Sequence, residues 1–365
     1  MEGLMEAQEI LQDIVFVLLY GGEIGLSVAA ALYLLLRRGN AIAPEVKSPL
    51  RLRRWAAAFL MACALSRVLW AYYVFHPSQA FYVIVCDVDL LILFPSITGI
   101  LVSMLQDRRR SVWPMLVALI PALILSVFCI IRGDDSLYLP LSIYVNALYG
   151  LLMFYMFFAV RNYGRWLSDN YADLENKEVW QSSLILAFFL LFFVIYNATE
   201  ESRVLVYLLQ IDCIIIAGLL LWRVETLQEL REPYPMEEEK VQKKSAQLAA
   251  VSDKIGILLK QQCEEGRLYL QNDLTLALLA HAIGTNRTYL SQHFALQGIT
   301  YNSYINSLRI RHFIQLYKDA AADGREITAQ QLSFESGYHS YSTFSSAFKQ
   351  FTGKTVTEWM RDAAK

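Results

Sequence analysis

Two sets of residues in this 365-residue chain have the type and spacing to do chemistry. The first lies in apolar sequence: Arg67, Asp87, Asp89 and Asp212, with Glu23 upstream. A charge buried among apolar residues is costly unless paired or hydrated. Arg67 is therefore expected to meet Asp87 or Asp89 as an ion pair. These charges either fix helix packing or form a polar pocket that senses something, and Tyr144 and Asn146 either line a ligand cavity or hold helices together. Asp87 with Asp212 formally suits a two-carboxylate hydrolase, but nothing around "VCDVDL" or "LQIDCI" resembles such an active site. Schiff-base chemistry needs a lysine, and the apolar segments hold none. Five cysteines show no metal-ligand or disulfide spacing. The chain is read as a non-enzyme with no metal and no cofactor.

The second set is polar and stands on two short helices near the C-terminus. Arg287, Thr288, Ser291 and Gln292 share one face, and Tyr341, Ser342, Ser345 and Ser346 share another. Gln can pair bidentately with adenine and Ser or Thr with several bases. Arg309, Lys349 and Lys354 suit phosphate, which positions a protein without specifying sequence.

The elements that must position these sets differ sharply. Hydrophobic residues make up 56% of the chain and charged residues only 18%. The apolar excess stops near Trp222. It divides into seven segments, roughly 14–36, 55–75, 80–105, 113–131, 138–160, 180–198 and 203–223, each near the ~20 residues that cross a bilayer as a helix. Alternate loops beginning with the first hold six, three and three Lys or Arg, whereas the other set holds only Arg132 and Arg203. This bias puts the N-terminus outside and the C-terminal part in the cytoplasm. The acidic start (Glu2, Glu6, Glu9) speaks against a cleaved signal peptide. Residues 1–223 are thus expected to be a seven-span domain in the lipid bilayer, and 224–254 a juxtamembrane linker. In that linker Val241, Leu248 and Ile255 recur every seven residues, with Val251 and Leu258 between them and Lys244 spoiling one position. Either a short coiled coil and a homodimer, or a helix packed on the next domain, explains the pattern.

Residues 255–365 read as soluble amphipathic helices. "DLTLALLAHAIGTNRTYLSQHFALQG" places Leu279, Ala280, Leu290 and Phe294 inward around a turn at Gly284, with Thr285 or Asn286 as a cap. "FESGYHSYSTFSSAFKQFTG" repeats it: Leu332, Ser333, Phe344 and Phe348 around Gly337. Between them "YNSYINSLRIRHFIQLYKDA" predicts a long helix that holds two helix-turn-helix units apart, as two successive major-groove segments require. The fold class is all-α: a seven-helix bundle followed by a tandem helix-turn-helix domain.

Three stretches, "LLAHAIGTNRTYLSQHF", "YINSLRI" and "SGYHSYSTFSSAFKQFTGKTVTEW", carry a resemblance. Residues from about 255 to 364 resemble the AraC/XylS-type DNA-binding domain. The apolar front is similar in architecture to the membrane-embedded bacterial variants of that family. The resemblance implies sequence-specific binding of double-stranded DNA, regulation of transcription and contact with RNA polymerase, at the cytoplasmic membrane of a bacterium. A small-molecule or peptide signal would then act through the seven spans. The sequence departs from the family pattern where Ser346 replaces a frequent arginine, Ser333 an alanine, Val356 a proline and Phe313 a small residue. From Arg267 to Lys365 ten basic residues face seven acidic ones, a thin footprint for phosphate. An adaptor whose C-terminal domain binds a protein partner is the alternative. An intramembrane enzyme or transporter lacks a motif or inverted repeat to support it.

Overall fold

The computed structural model describes residues 13–37, 39–44, 46–132, 137–174, 177, 180–198, 203–230, 245–325 and 328–363. Among these residues the structure is helical, with one isolated antiparallel bridge between Tyr171 and Thr275 and no strand. Two units emerge: residues 1–163 with 176–230, and residues 164–175 with 231–365. The first therefore runs past 223, and twelve residues from the sequence of the apolar front belong to the second.

The first unit contains α1 (Ile14–Leu36), α2 (Leu50–Phe75), α3 (Gln79–Met104), α4 (Trp113–Ala118), α5 (Ile120–Arg132), the start of α6 (Tyr138–Asn170), α7 (Trp180–Ala198) and α8 (Arg203–Thr226). Among the described residues, seven helices are long and apolar enough to cross a membrane, counting α4 and α5 as one. That fourth segment breaks at Leu119 because Pro121 has no N–H to continue the ladder. In α3 the chain stays helical through Pro95, while the Ser96 and Thr98 hydroxyls donate to the Leu93 and Phe94 carbonyls at 2.9 and 2.8 Å. Gly99 lets α3 approach α2, since a Cβ there would fall 2.1 Å from the Trp55 indole.

The buried charges do not pair as expected. Arg67 Nε meets Glu23 Oε1 at 3.0 Å, and its Nη2 lies 3.4 Å from Cys213 Sγ. Glu23 is the partner because α1 packs beside α2 and brings a carboxylate to the guanidinium from the other side. Asp89 Oδ2 instead accepts from Trp70 Nε1 and the Tyr196 hydroxyl, each at 2.7 Å. Asp87 is half-buried with a hydrogen bond to Ser126. Asp212 is buried and has no hydrogen-bond partner for either oxygen. At one end of the unit, Glu225 accepts from the backbone amides of Ala41 and Ile42 at 2.8 and 2.7 Å and from Tyr33. Arg53 donates to the Leu34 carbonyl at 2.6 Å. Part of the basic charge of the first loop is thus spent on closing backbone groups.

The second unit comprises residues 164–175 and the helices α9 (Ser245–Leu258), α10 (Leu276–Ala282), α11 (Arg287–Leu296), α12 (Tyr301–Ala322), α13 (Ala329–Glu335), α14 (Tyr341–Thr352) and α15 (Val356–Ala363). Beyond Leu258, α9 continues as a π-helical stretch, Leu259–Glu265. Ile255 and Leu259 are buried against the first helix-turn-helix unit, and Ser252 Oγ lies 2.8 Å from His293 Nδ1. That favours a helix packed on the domain over a coiled coil for the described part. Val241 and Lys244 lie outside the described residues.

Candidate nucleic-acid interface

The two helix-turn-helix units are built from the same local chemistry. Thr275 caps α10 by accepting from the Leu278 amide, and Asn286 Oδ1 caps α11 at 2.8 Å from the Tyr289 amide. In the second unit Thr328 forms a capping box with Gln331, and Ser340 Oγ accepts from the Thr343 amide at 3.2 Å. Each turn carries a glycine in the left-handed region, Gly284 at φ +70° and Gly337 at φ +88°. Leu279, Ala280, Leu290 and Phe294 are buried, as are Leu332, Ser333, Phe344 and Phe348. The Ser333 hydroxyl, which stands where the family pattern has alanine, is accommodated by donating to the Gln330 carbonyl at 2.7 Å.

The outward faces follow from these inward ones. Thr288, Ser342 and Ser346 are exposed, whereas Arg287, Ser291, Gln292, Tyr341 and Ser345 are half-buried. Tyr341 rests its ring 5.7 Å from Phe344, so only part of it is free for a base. Lys349 is exposed, and Lys354 bridges to Asp362 at 2.9 Å on the surface.

Arg309 departs from expectation. Its side chain is buried, donating to the carbonyls of Tyr269 and Gln271 at 2.8 and 2.7 Å, with the guanidinium 5.4 Å from the centre of the Tyr338 ring. It cannot touch phosphate from there. It instead joins the loop before α10 to the turn of the second unit. No local pattern announces this, because its partners are backbone carbonyls about forty residues away.

Residues 164–175 were also not foreseen at this site. Asn302 Nδ2 donates to the carbonyls of Tyr171 and Ala172 at 3.2 and 2.7 Å, and Asn306 Nδ2 to that of Ala172 at 3.2 Å. Thr343 Oγ1 donates to Asp173 Oδ1 at 3.1 Å, and Asp169 shares a small cleft with Ser291. Burial pulls the Arg287 guanidinium below its ordinary value, and the neighbouring Tyr171 opposes the shift.

A family model described as a helix-turn-helix domain matches residues 279–362. An uncharacterised HTH-type transcriptional regulator of Staphylococcus aureus strain MRSA252 is 28% identical over 105 residues, which are 28% of this chain and 13% of that protein. A counterpart in strain COL is 27% identical over the same lengths. The chain thus spans about an eighth of the curated relatives it matches. No solved structure matches it. Paired units and matching relatives together make the C-terminal part of this chain an AraC-type helix-turn-helix domain, preceded among the described residues by seven helices of membrane-spanning length and apolarity.

Proposed function

We propose that the chain is a membrane-anchored, sequence-specific transcription regulator. Double-stranded DNA would enter against α11 and α14. Arg287, Thr288, Ser291 and Gln292 would read one major-groove segment, and Tyr341, Ser342, Ser345 and Ser346 the next. Lys349 and Lys354 would lie toward phosphate. The observation that carries this reading is the repetition of cap, left-handed glycine and inward pair in two units joined by one helix, α12, whose inward residues enter both cores. The seven helices support anchoring in the bilayer, and the loop-charge bias supports an outside N-terminus and a cytoplasmic reader in a bacterial inner membrane. Pairing of two chains and contact with RNA polymerase would supply affinity that so few basic residues do not.

Selection of random duplexes by the full-length chain in nanodiscs tests the proposal. It expects an enriched site with two elements about one helical turn apart and affinity that falls steeply with salt. Enrichment of nothing by a folded sample would overturn it. The burial of Arg309, which removes one cation from the surface, favours the adaptor as second reading; capture of a protein by the same nanodiscs without any duplex would select it.

A further inference from the structure

The seven-helix unit holds a half-open cavity of about 150 Å³ between α3, α6 and α7. Its polar lining includes Asp87, Asp89, Asn146 and Asn197, and its apolar lining Tyr149 and Phe192. Among the described residues that line it there are two carboxylates and no Lys, Arg or His. Arg67, the nearest expected partner, is committed to Glu23 and Cys213. Asp89 is 3% exposed, and while its Oδ2 accepts two hydrogen bonds, its Oδ1 has no partner. A buried carboxylate oxygen left in that condition is costly. Both asparagines spend an amide N–H on the backbone: Asn146 on the Ser142 carbonyl and Asn197 on the Phe193 carbonyl, each at 2.8 Å. Asn146 spends its second N–H on the Ser142 hydroxyl at 3.3 Å, and both side chains keep acceptor oxygens to offer a ligand. The walls are aromatic and held in place, with Tyr149 stacked on Phe193 at 4.6 Å and Phe192 on Tyr196 at 5.9 Å.

A lining rich in acceptors, negative and aromatic asks for a donor that is positive and organic. We propose that this cavity binds a small primary ammonium ion with an apolar or aromatic body. Asp89 is its counter-ion, and the amide oxygens of Asn146 and Asn197 take its remaining N–H groups. A cavity of this volume holds a body roughly the size of benzene. The assignment deepens the sensing half of the function proposed above but needs no DNA to be tested.

The experiment titrates the full-length chain in nanodiscs with benzylammonium and, as a neutral counterpart of equal shape, benzyl alcohol. Saturable benzylammonium binding with a Kd below about 1 mM is expected, at least tenfold tighter than benzyl alcohol. Asp89→Asn, which keeps the acceptor and removes the charge, should erase that tenfold preference. Asn146→Leu should weaken benzylammonium alone, and stands in if Asp89→Asn does not fold. Equal binding of the two compounds, or no benzylammonium binding by the folded chain, would overturn the assignment. DNA selection on the same sample is scored separately, so cation binding without DNA binding sinks the regulator and keeps the cavity.

A second inference rests on different residues and on the regulator reading. Residues 164–174 reach both recognition helices: Asp169 lines a cleft with Ser291 of α11, and Asp173 accepts from Thr343 of α14. Asn302 and Asn306 of α12 hold the backbone between those two carboxylates. We infer that this segment is an acidic strap that competes with DNA phosphate for the reading face. Removing its fastening with Asn302→Ala and Asn306→Ala together should raise DNA affinity of the full-length chain about tenfold. Asp173→Asn should raise it less and steepen its salt dependence, because one fewer like charge faces the phosphates. Unchanged or weaker DNA binding by folded variants would overturn the strap, and an absence of DNA binding by every chain would overturn strap and regulator together.

Discussion

The first and second helix-turn-helix units share their plan and differ in what fills it. The first buries mainly aliphatic residues, Leu276, Leu279, Ile283 and Leu290, and leans on α9 and its π-helical continuation through Ile255 and Leu259. The second is an aromatic cluster in which Phe313, Phe344, Phe348 and Trp359 meet ring to ring. Phe313 stands where the family pattern has a small residue, and that volume is taken up by rings from α14 and α15. Their turns differ too. A Cβ on Gly284 would meet nothing within 4 Å, whereas one on Gly337 would fall 2.8–2.9 Å from the Leu270 backbone. The lesson is that one topology can be stabilised from outside by a preceding helix or from inside by stacked rings, with different tolerance at the same turn.

Substitutions can break or sharpen this contrast. The largest effect is expected for Phe348→Ala, which removes a fully buried ring and should cost about 3–5 kcal/mol, against roughly 2–4 for Leu290→Ala in the first unit. Denaturant unfolding of the full-length chain, followed by amide exchange in each unit, measures both. Equal losses would erase the distinction between the cores. At the turns, Gly337→Ala combines left-handed strain with a backbone clash and should cost about 3 kcal/mol. Gly284→Ala carries strain alone, about 1 kcal/mol. Similar values would show that the Leu270 approach relaxes freely.

Readout should divide the same way. Gln292→Ala is expected to lose about 1–3 kcal/mol of discrimination at one base pair, and Ser345→Ala less than about 1, measured by competition between cognate and mismatched duplexes. A larger loss at Ser345 would make the second unit the principal reader. Smallest is a pH effect. Burial pulls His293 and His312 below the ordinary value of 6.5, so the unfolded chain protonates first as pH falls. The stability they contribute is complete above 6.5 and is lost as pH drops through the lowered values. His293→Gln should flatten part of that decline, and an unchanged profile would move the effect elsewhere.

Much of the fold can be read from local sequence because its determinants are local. Apolar runs of helical length, the caps at Asn286 and Ser340, and the inward pairs Leu290/Phe294 and Phe344/Phe348 all lie within a few residues of the elements they define. Long-range polar pairing is not legible in that way. Arg67 pairs with Glu23 although α1 and α3 both pack on α2, because Asp89 is taken up by Trp70 and Tyr196, a choice that composition does not encode. Arg309 resembles any exposed basic residue on a helix until the carbonyls of Tyr269 and Gln271 are brought to it. Residues 164–174 are held chiefly through backbone oxygens, which every residue possesses, so no side-chain pattern marks them.

The seat of Gly337 on Leu270, together with the bonds from Arg309 to Tyr269 and Gln271, has a consequence for modularity. The turn of the second unit is completed by the strand of chain that leads into the first. A graft carrying residues 300–363 into another scaffold would take the recognition helix but leave the floor of its turn and the acceptors of its central cation behind. The pair can be transplanted as one cassette beginning upstream of Tyr269, and neither half is a part that can be exchanged alone.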